Sequence, residues 1–366
     1  MYTRLISLFI VFSSVWGFWG DRSFTIPEPP IAPPYMRVES PWADSLIQKM
    51  SLDEKIGQLF MVAANGKHTD EEDYLKLDTL IETYGLGGLI YFQSSPNDHN
   101  VLVNRFQSKS KIPLMNGIDG EWGLAMRIDS LDAYPWNMTL GAIQNDSLLY
   151  EMGVAIANEC KTMGIHFNFT PVVDVNSNPL NPIINARSYG EDPLNVSRKA
   201  TALMHGMQDS GVLACAKHFP GHGDTESDSH KTLPVIQHSK SRIDSLDLVP
   251  FKKIVDAGVA SVMVAHLNIP SLDSTHNRAS TLSPYVVDTM LQQELNFRGL
   301  VFTDALNMKG VSDYFESGDL EVAALQAGND VLLFPEDVPA AIKSIHIAIE
   351  NDALSVERIN ESCHRF

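Results

Sequence analysis

Eight short apolar runs recur along this chain, at residues 59–62, 88–92, 114–118, 166–169, 212–216, 261–265, 300–303 and 331–334, and they leave it few possible architectures. Each gap between them is long enough for a crossover helix, for example 148–163 and 284–295. Ser51 with Glu54 has the capping-box spacing that opens a helix just ahead of the first run. Parallel strands cannot be joined by a tight turn and need such crossovers, so repeated strand–helix units predict a parallel sheet. Eight units in about 310 residues suit a (β/α)8 TIM-type barrel, a single catalytic domain, better than a doubly wound sheet.

Polar residues at the ends of these runs point the same way. Asp119 ends the third run, Asn168 the fourth, Lys217 and His218 the fifth, His266 the sixth and Asp304 the seventh. In a barrel all carboxyl ends open on one mouth, so residues nearly two hundred positions apart in the chain would share one pocket. Strands that merely stop where polar residues begin would account for one or two of these. They do not account for a lysine, two histidines and two aspartates.

The 44% hydrophobic content supports a large core. A balance of 27 basic against 45 acidic residues, net charge -18, argues against nucleic acid or an anionic membrane as partner and favours a neutral ligand. Residues 1–20 join Arg4 to an apolar stretch at 5–19, which reads as a signal peptide and predicts export to the periplasm or the cell exterior, with an uncleaved anchor as the alternative. Residues 21–41 are proline-rich and read as a linker, leaving 42–366 for the barrel. Cys160, Cys215 and Cys363 are odd in number and widely spaced. They form no metal motif, and Cys215, inside the fifth run, is expected to be a buried structural thiol.

The segment 217–230, KHFPGHGDTESDSH, concentrates the chemistry. Pro220, Gly221 and Gly223 break any helix, so it is a loop on the end of a buried strand. His218 and His222 are four apart, but the broken helix cannot put both rings on one face, and neither metal nor cofactor is expected. Asp228 and His230, two apart, point the same way in an extended loop. The aspartate would then fix the tautomer of the ring and make it a proton shuttle, the other reading being a solvated surface loop. Asp304, in FTDALNM, is either a helix N-cap or an oriented carboxylate suited to nucleophilic attack.

These segments resemble glycoside hydrolase family 3, specifically the single-domain β-N-acetylglucosaminidases (β-N-acetylhexosaminidases) of bacterial cell-wall recycling. The likeness runs from SLDEKIGQLFM at 51–61 to about residue 340. It is carried by KHFPGHGDTESDSH, by DGEWGLAMR at 119–127, by PVVDVNSNPLNPIINARSYGEDP at 171–193 and by FTDALNM at 302–308. The resemblance implies that Asp304 is the catalytic nucleophile and His230 the general acid/base, supported by Asp228. Asp119, Arg127, Arg187, Lys217 and His218 would hold the terminal sugar. It implies a retaining, exo-acting hydrolase working through a covalent glycosyl-aspartate on an oligosaccharide of the cell wall, chitin or a host glycan. A histidine acid/base is neutral after giving up its proton, so phosphate could compete with water as acceptor.

Two features depart from the family pattern. The usual D-x-E-G-G-R-V-x-R keeps its outer Asp119 and Arg127 here, but Trp122 and Leu124 replace the middle glycine and arginine, so what the resemblance implies for the aglycone side of the pocket does not carry over. The chain also stops within a helix-like segment, SVERINESCHRF, whereas relatives of this subtype can carry a further serine-hydrolase-like domain; a shortened version of a longer protein is one reading. A β-glucosidase of the same wider family and a non-catalytic sugar-binding barrel remain as alternatives.

Overall fold

The computed structural model describes residues 31–366, apart from 68, 227–231 and 317. Its strands are β1 (Phe60–Ala64), β2 (Gly88–Tyr91), β3 (Met115–Ile118), β4 (Phe167–Asn168), β5 (Leu213–Phe219), β6 (Ser261–Val264), β7 (Leu300–Thr303) and β8 (Leu332–Leu333). Neighbours run parallel in the order β7-β6-β5-β4-β3-β2-β1-β8. The ends of that row meet: Phe302 bridges Val331, the Thr303 N–H donates to the Val331 carbonyl at 3.0 Å, and the Leu333 N–H donates to Thr303 Oγ1 at 2.9 Å. This is the expected (β/α)8 barrel, closed between β7 and β8 by a bridge rather than a long ladder.

Alternation along each strand builds two cores. Met61, Ile90, Met263 and Phe302 point into the barrel, while their neighbours Phe60, Leu89, Val262 and Val301 join the larger core beneath the helices. Inside, Phe167 and Phe169 meet Phe302 edge-on with centroids 5.1 Å and 5.2 Å away. Gly117 on β3 makes room for this aromatic layer, because a Cβ there would lie 2.8 Å from the Phe169 ring. Cys160, Cys215 and Cys363 are buried and unpaired, and Cys215 belongs to the inner core, where burial pushes its thiol up to about 12.

The helices form where the sequence patterns lead. Ser51 Oγ accepts the Glu54 N–H while the Glu54 carboxylate accepts the Ser51 N–H, so the capping box opens helix Leu52–Gly57. Residues 148–163 give helix Ser147–Thr162, 284–295 give Tyr285–Glu294, and the final segment gives Val356–Arg365. The expected signal peptide at 1–20 lies outside the described residues. The described part of the proline-rich stretch turns at Pro34–Arg37 and sits on the barrel floor: Tyr35 Oη donates to the Ala260 carbonyl and the Ile31 N–H to Asp256, each at 3.1 Å. Among the described residues no helix is long and apolar enough to cross a membrane.

Asp330, just before β8, ties the last helix to that floor. Its carboxylate is fully buried and accepts from the Val301 N–H at 3.0 Å, Ser362 Oγ at 2.7 Å, Arg365 at 2.6 Å and Arg358 at 3.3 Å. Removing one partner of a buried ion cluster strands the others, at a cost of roughly 3–5 kcal/mol. Asp330→Ala should therefore lower the urea unfolding free energy by about that amount. A loss under about 1 kcal/mol would show that this clamp contributes little, as exposed ion pairs do.

Candidate active site

Those predicted residues that the structure describes gather at the carboxyl ends of the strands, with one difference. Lys217 and His218 do not follow β5; they are part of it. The strand continues past residue 216 because the Lys217 N–H donates to the Pro171 carbonyl at 3.2 Å, its carbonyl accepts the Val173 N–H at 2.8 Å, and Phe219 pairs with Val264 after an irregularity in register. Two polar side chains can ride on a buried strand only if partners meet them there.

Those partners form a closed ionic network. Lys217 Nζ lies 2.8 Å from Asp119 Oδ1 and 2.9 Å from Glu121 Oε1. Arg187 grips Glu121 with two bonds of 2.9 Å and 2.7 Å, and Arg127 donates to Asp119 Oδ2 at 3.1 Å. Burial works against all of these charges. Even so, Lys217 and Arg127 hold Asp119 below the usual carboxylate range, Arg187 and Lys217 do the same for Glu121, and Asp119 and Glu121 raise Lys217.

A second buried carboxylate orients the histidines. Asp174 accepts the His222 N–H at 2.7 Å and contacts His218 Nδ1 at 2.7 Å. On its other side His218 Nε2 faces the Arg187 guanidinium at 3.3 Å. A guanidinium can only donate, so Nε2 accepts and the proton sits on Nδ1, directed at Asp174. Burial pushes Asp174 up, but the contacts with His218 and His222, the His222 N–H included, outweigh it and hold the group low.

Asp304 follows β7. Its N–H donates to the Val264 carbonyl at 3.0 Å and its Oδ1 accepts the Ala305 N–H at 2.8 Å. The next helix begins at Lys309 behind Met308, so Asp304 is not its N-cap. His266 reaches across to the Ala305 carbonyl at 3.0 Å and to Thr281 Oγ1 at 2.7 Å, fixing the backbone beside Asp304. The Asp304 charge is felt by both Cys215, inside the barrel, and His222. In the ring order β3 and β7 stand four strands apart out of eight, so Asp119 and Asp304 flank the mouth from opposite sides, with Lys217 and His218 between them.

Asp228 and His230 lie outside the described residues. The described parts of their loop are fastened at both ends, by His222 to Asp174 and by the Asp224 carboxylate to the His238 ring. Glu121 and Asp174 are the site residues that motif reading passed over. Asp174 interrupts the apolar run PVVDV, which is itself a signal for a paired, buried charge, and Glu121 shares the D-x-E spacing of Asp119.

Comparison with known proteins agrees with this geometry. The profile described as "Glycosyl hydrolase family 3 N terminal domain" matches residues 51–366. The chain belongs to glycosyl hydrolase family 3. Beta-hexosaminidase A of Pseudoalteromonas piscicida is 36% identical over 313 residues, covering 78% of this chain and 52% of that protein. Beta-hexosaminidase of Thiobacillus denitrificans is 34% identical over 290 residues, 76% of this chain and 78% of its own length. The solved glycoside hydrolase family 3 beta-N-acetylglucosaminidase of Paenibacillus sp. str. FPU-7 superposes with a TM-score of 0.81 at 37% identity, over 86% of this chain and 61% of that one. The family 3 barrel described here thus spans about half the length of the Pseudoalteromonas relative.

Two groups at the root of the loop titrate with opposite sense. Burial, together with the neighbouring His218, pushes His222 down to about 4 from 6.5. Burial pushes Asp247, packed beneath Gly221, up to about 6 from 3.8, although Arg242 lies 2.9 Å away. Between pH 6.5 and 4 the unfolded chain protonates residue 222 and the folded one does not, so this histidine makes stability fall on acidification. Asp247 acts the other way over its own window. On going from pH 7 to 4.5, wild type should lose about 2 kcal/mol more unfolding free energy than His222→Gln. Equal losses in denaturant titrations of both would contradict a neutral, buried His222.

Proposed function

We propose that this chain is a retaining, exo-acting glycosidase that removes terminal β-linked N-acetylglucosamine. The observation that carries this reading is the buried polar wall of Asp119, Glu121, Arg187, Lys217 and His218, with Asp304 across the barrel mouth. Fixed carboxylates and forked donors suit the vicinal hydroxyls of a neutral sugar ring, and the net charge of -18 disfavours an anionic ligand. Further support comes from the relatives named beta-hexosaminidase and beta-N-acetylglucosaminidase.

In this mechanism Asp304 attacks the anomeric carbon while His230, oriented by Asp228, protonates the departing glycosidic oxygen. The glycosyl-aspartate is then opened by water, whose proton passes to His230. Asp119, Arg127, Arg187, Lys217 and His218 hold the terminal sugar throughout. The apolar stretch at 5–19 after Arg4 supports export and, with it, a role in peptidoglycan turnover.

Wild type should turn over an aryl N-acetyl-β-glucosaminide in preference to the β-glucoside. Asp304→Asn should lose at least about a thousandfold in kcat/KM, roughly 4 kcal/mol of transition-state stabilisation, without a change in melting temperature. Preference for the β-glucoside would assign a different substrate. Sugar binding without turnover, unchanged in Asp304→Asn, would make the protein a binding barrel.

Leaving-group chemistry tests the acid separately. His230→Ala should slow substrates with basic leaving groups far more than nitrophenyl glycosides, which depart without a proton. Equal losses on both would remove His230 from that role.

A further inference from the structure

The two stems of the loop after β5 lean on different neighbours. The outgoing stem, as far as Thr225, is fastened to the segment that follows β4. The Asn178 N–H donates to the Gly223 carbonyl at 3.3 Å, and Asn181 Nδ2 donates to the His222 carbonyl at 2.8 Å and to Thr225 Oγ1 at 3.3 Å. Contact there is so close that a Cβ on Gly223 would fall 1.7 Å from the Val175 carbonyl oxygen. The returning stem, from Pro234, is laced instead to the segment after β6. The Ile236 N–H donates to the Asn268 carbonyl and the Asn268 N–H to the Pro234 carbonyl, both at 2.8 Å, and Ser271 Oγ donates to the His238 carbonyl at 2.5 Å.

A side-chain bond joins the stems directly. The Asp224 carboxylate accepts from His238 Nε2, across 14 positions of sequence. Both side chains are partly exposed, and an ion pair in that setting adds little to global stability. Its effect is local, because tying two points of a chain together narrows the conformations open to the residues between them. Asp228 and His230 are among those residues. The outgoing stem is itself anchored on Asp174, which accepts the His222 N–H and also orients His218. Through Asp224 the returning stem is therefore referenced to the same carboxylate that sets the polar wall.

We propose that the Asp224–His238 clasp is a positioning pair for the general acid/base: it holds together the two stems of the loop that carries Asp228 and His230, and thereby governs how well the departing oxygen is protonated. Neither residue touches the sugar in this scheme; each acts through the loop. A proton donor must come within hydrogen-bond reach of the leaving oxygen, and a misplacement of about 1 Å costs up to roughly a hundredfold in rate. Leaving groups that depart without a proton are indifferent to that misplacement, so a loosened loop has a kinetic signature that a loosened fold lacks. The inference rests on the role given above to His230, and comparison with His230→Ala separates the two.

N,N′-diacetylchitobiose releases a basic sugar hydroxyl, whereas nitrophenyl N-acetyl-β-glucosaminide releases a group that needs no proton. Values of kcat/KM on both, which cover the steps through bond cleavage, would be compared for wild type, His238→Ala, Asp224→Ala, their double variant, His238→Gln and His230→Ala. His238→Ala and Asp224→Ala should each lose about tenfold or more on the disaccharide and no more than about threefold on the nitrophenyl glycoside, with melting temperatures near that of wild type. The double variant should be no worse than either single one, because the two residues act as a unit. His238→Gln, which keeps a donor for Asp224, should recover part of the loss. Equal losses on both substrates, no loss on either, or additive losses in the double variant would overturn the clasp and leave the acid/base assignment standing on His230→Ala. Equal impairment of His230→Ala on both substrates would instead overturn the acid/base role, and the function of the clasp with it. Should an alanine variant fold poorly, the isosteric Asp224→Asn, which weakens the bond without leaving a gap, decides the question on the same two substrates.

Discussion

The buried ammonium of Lys217 is the interaction on which the rest of the mouth depends. An unpaired charge at that depth would cost several kcal/mol, and only the simultaneous presence of Asp119 and Glu121 makes it tolerable. Those carboxylates are in turn supported by Arg127 and Arg187, so losing one member strands the charge of its neighbours. Such a set does not adapt its geometry to each visitor. It presents donors and acceptors at fixed positions, which is what discrimination among similar polar ligands requires.

The same network explains how much could be read from the chain alone. The eight apolar runs and their helical spacers were enough for the barrel, because alternation along a strand and amphipathicity along a helix are local patterns. β4 and β8 are only two residues long, shorter than the apolar runs that marked them, since the ladder ends before the hydrophobicity does. β5 is longer than its run because Lys217 and His218 are buried by partners 98 and 44 residues away, and no local window contains that information.

Site residues were legible in proportion to how unusual they look nearby. Asp119 and Asp304 stand at the ends of apolar runs and invite attention. Asp174 lies among valines and Glu121 beside a tryptophan, and their importance emerges only when Arg187 and His218 are brought against them. The loop clasp is similar: Asp224 and His238 are 14 positions apart, and their contact follows from how the segments after β4 and β6 hold the two stems.

The ring order carries one more consequence. The polar wall comes from segments following β3, β4 and within β5, whereas Asp304 and the histidine bracing it come from β7 and β6. The wall and the Asp304 carboxylate therefore stand on separate, non-neighbouring stretches of the ring. Variation in the β3–β5 segments can reshape the wall while Asp304 stays put, a separation written into the winding of the barrel.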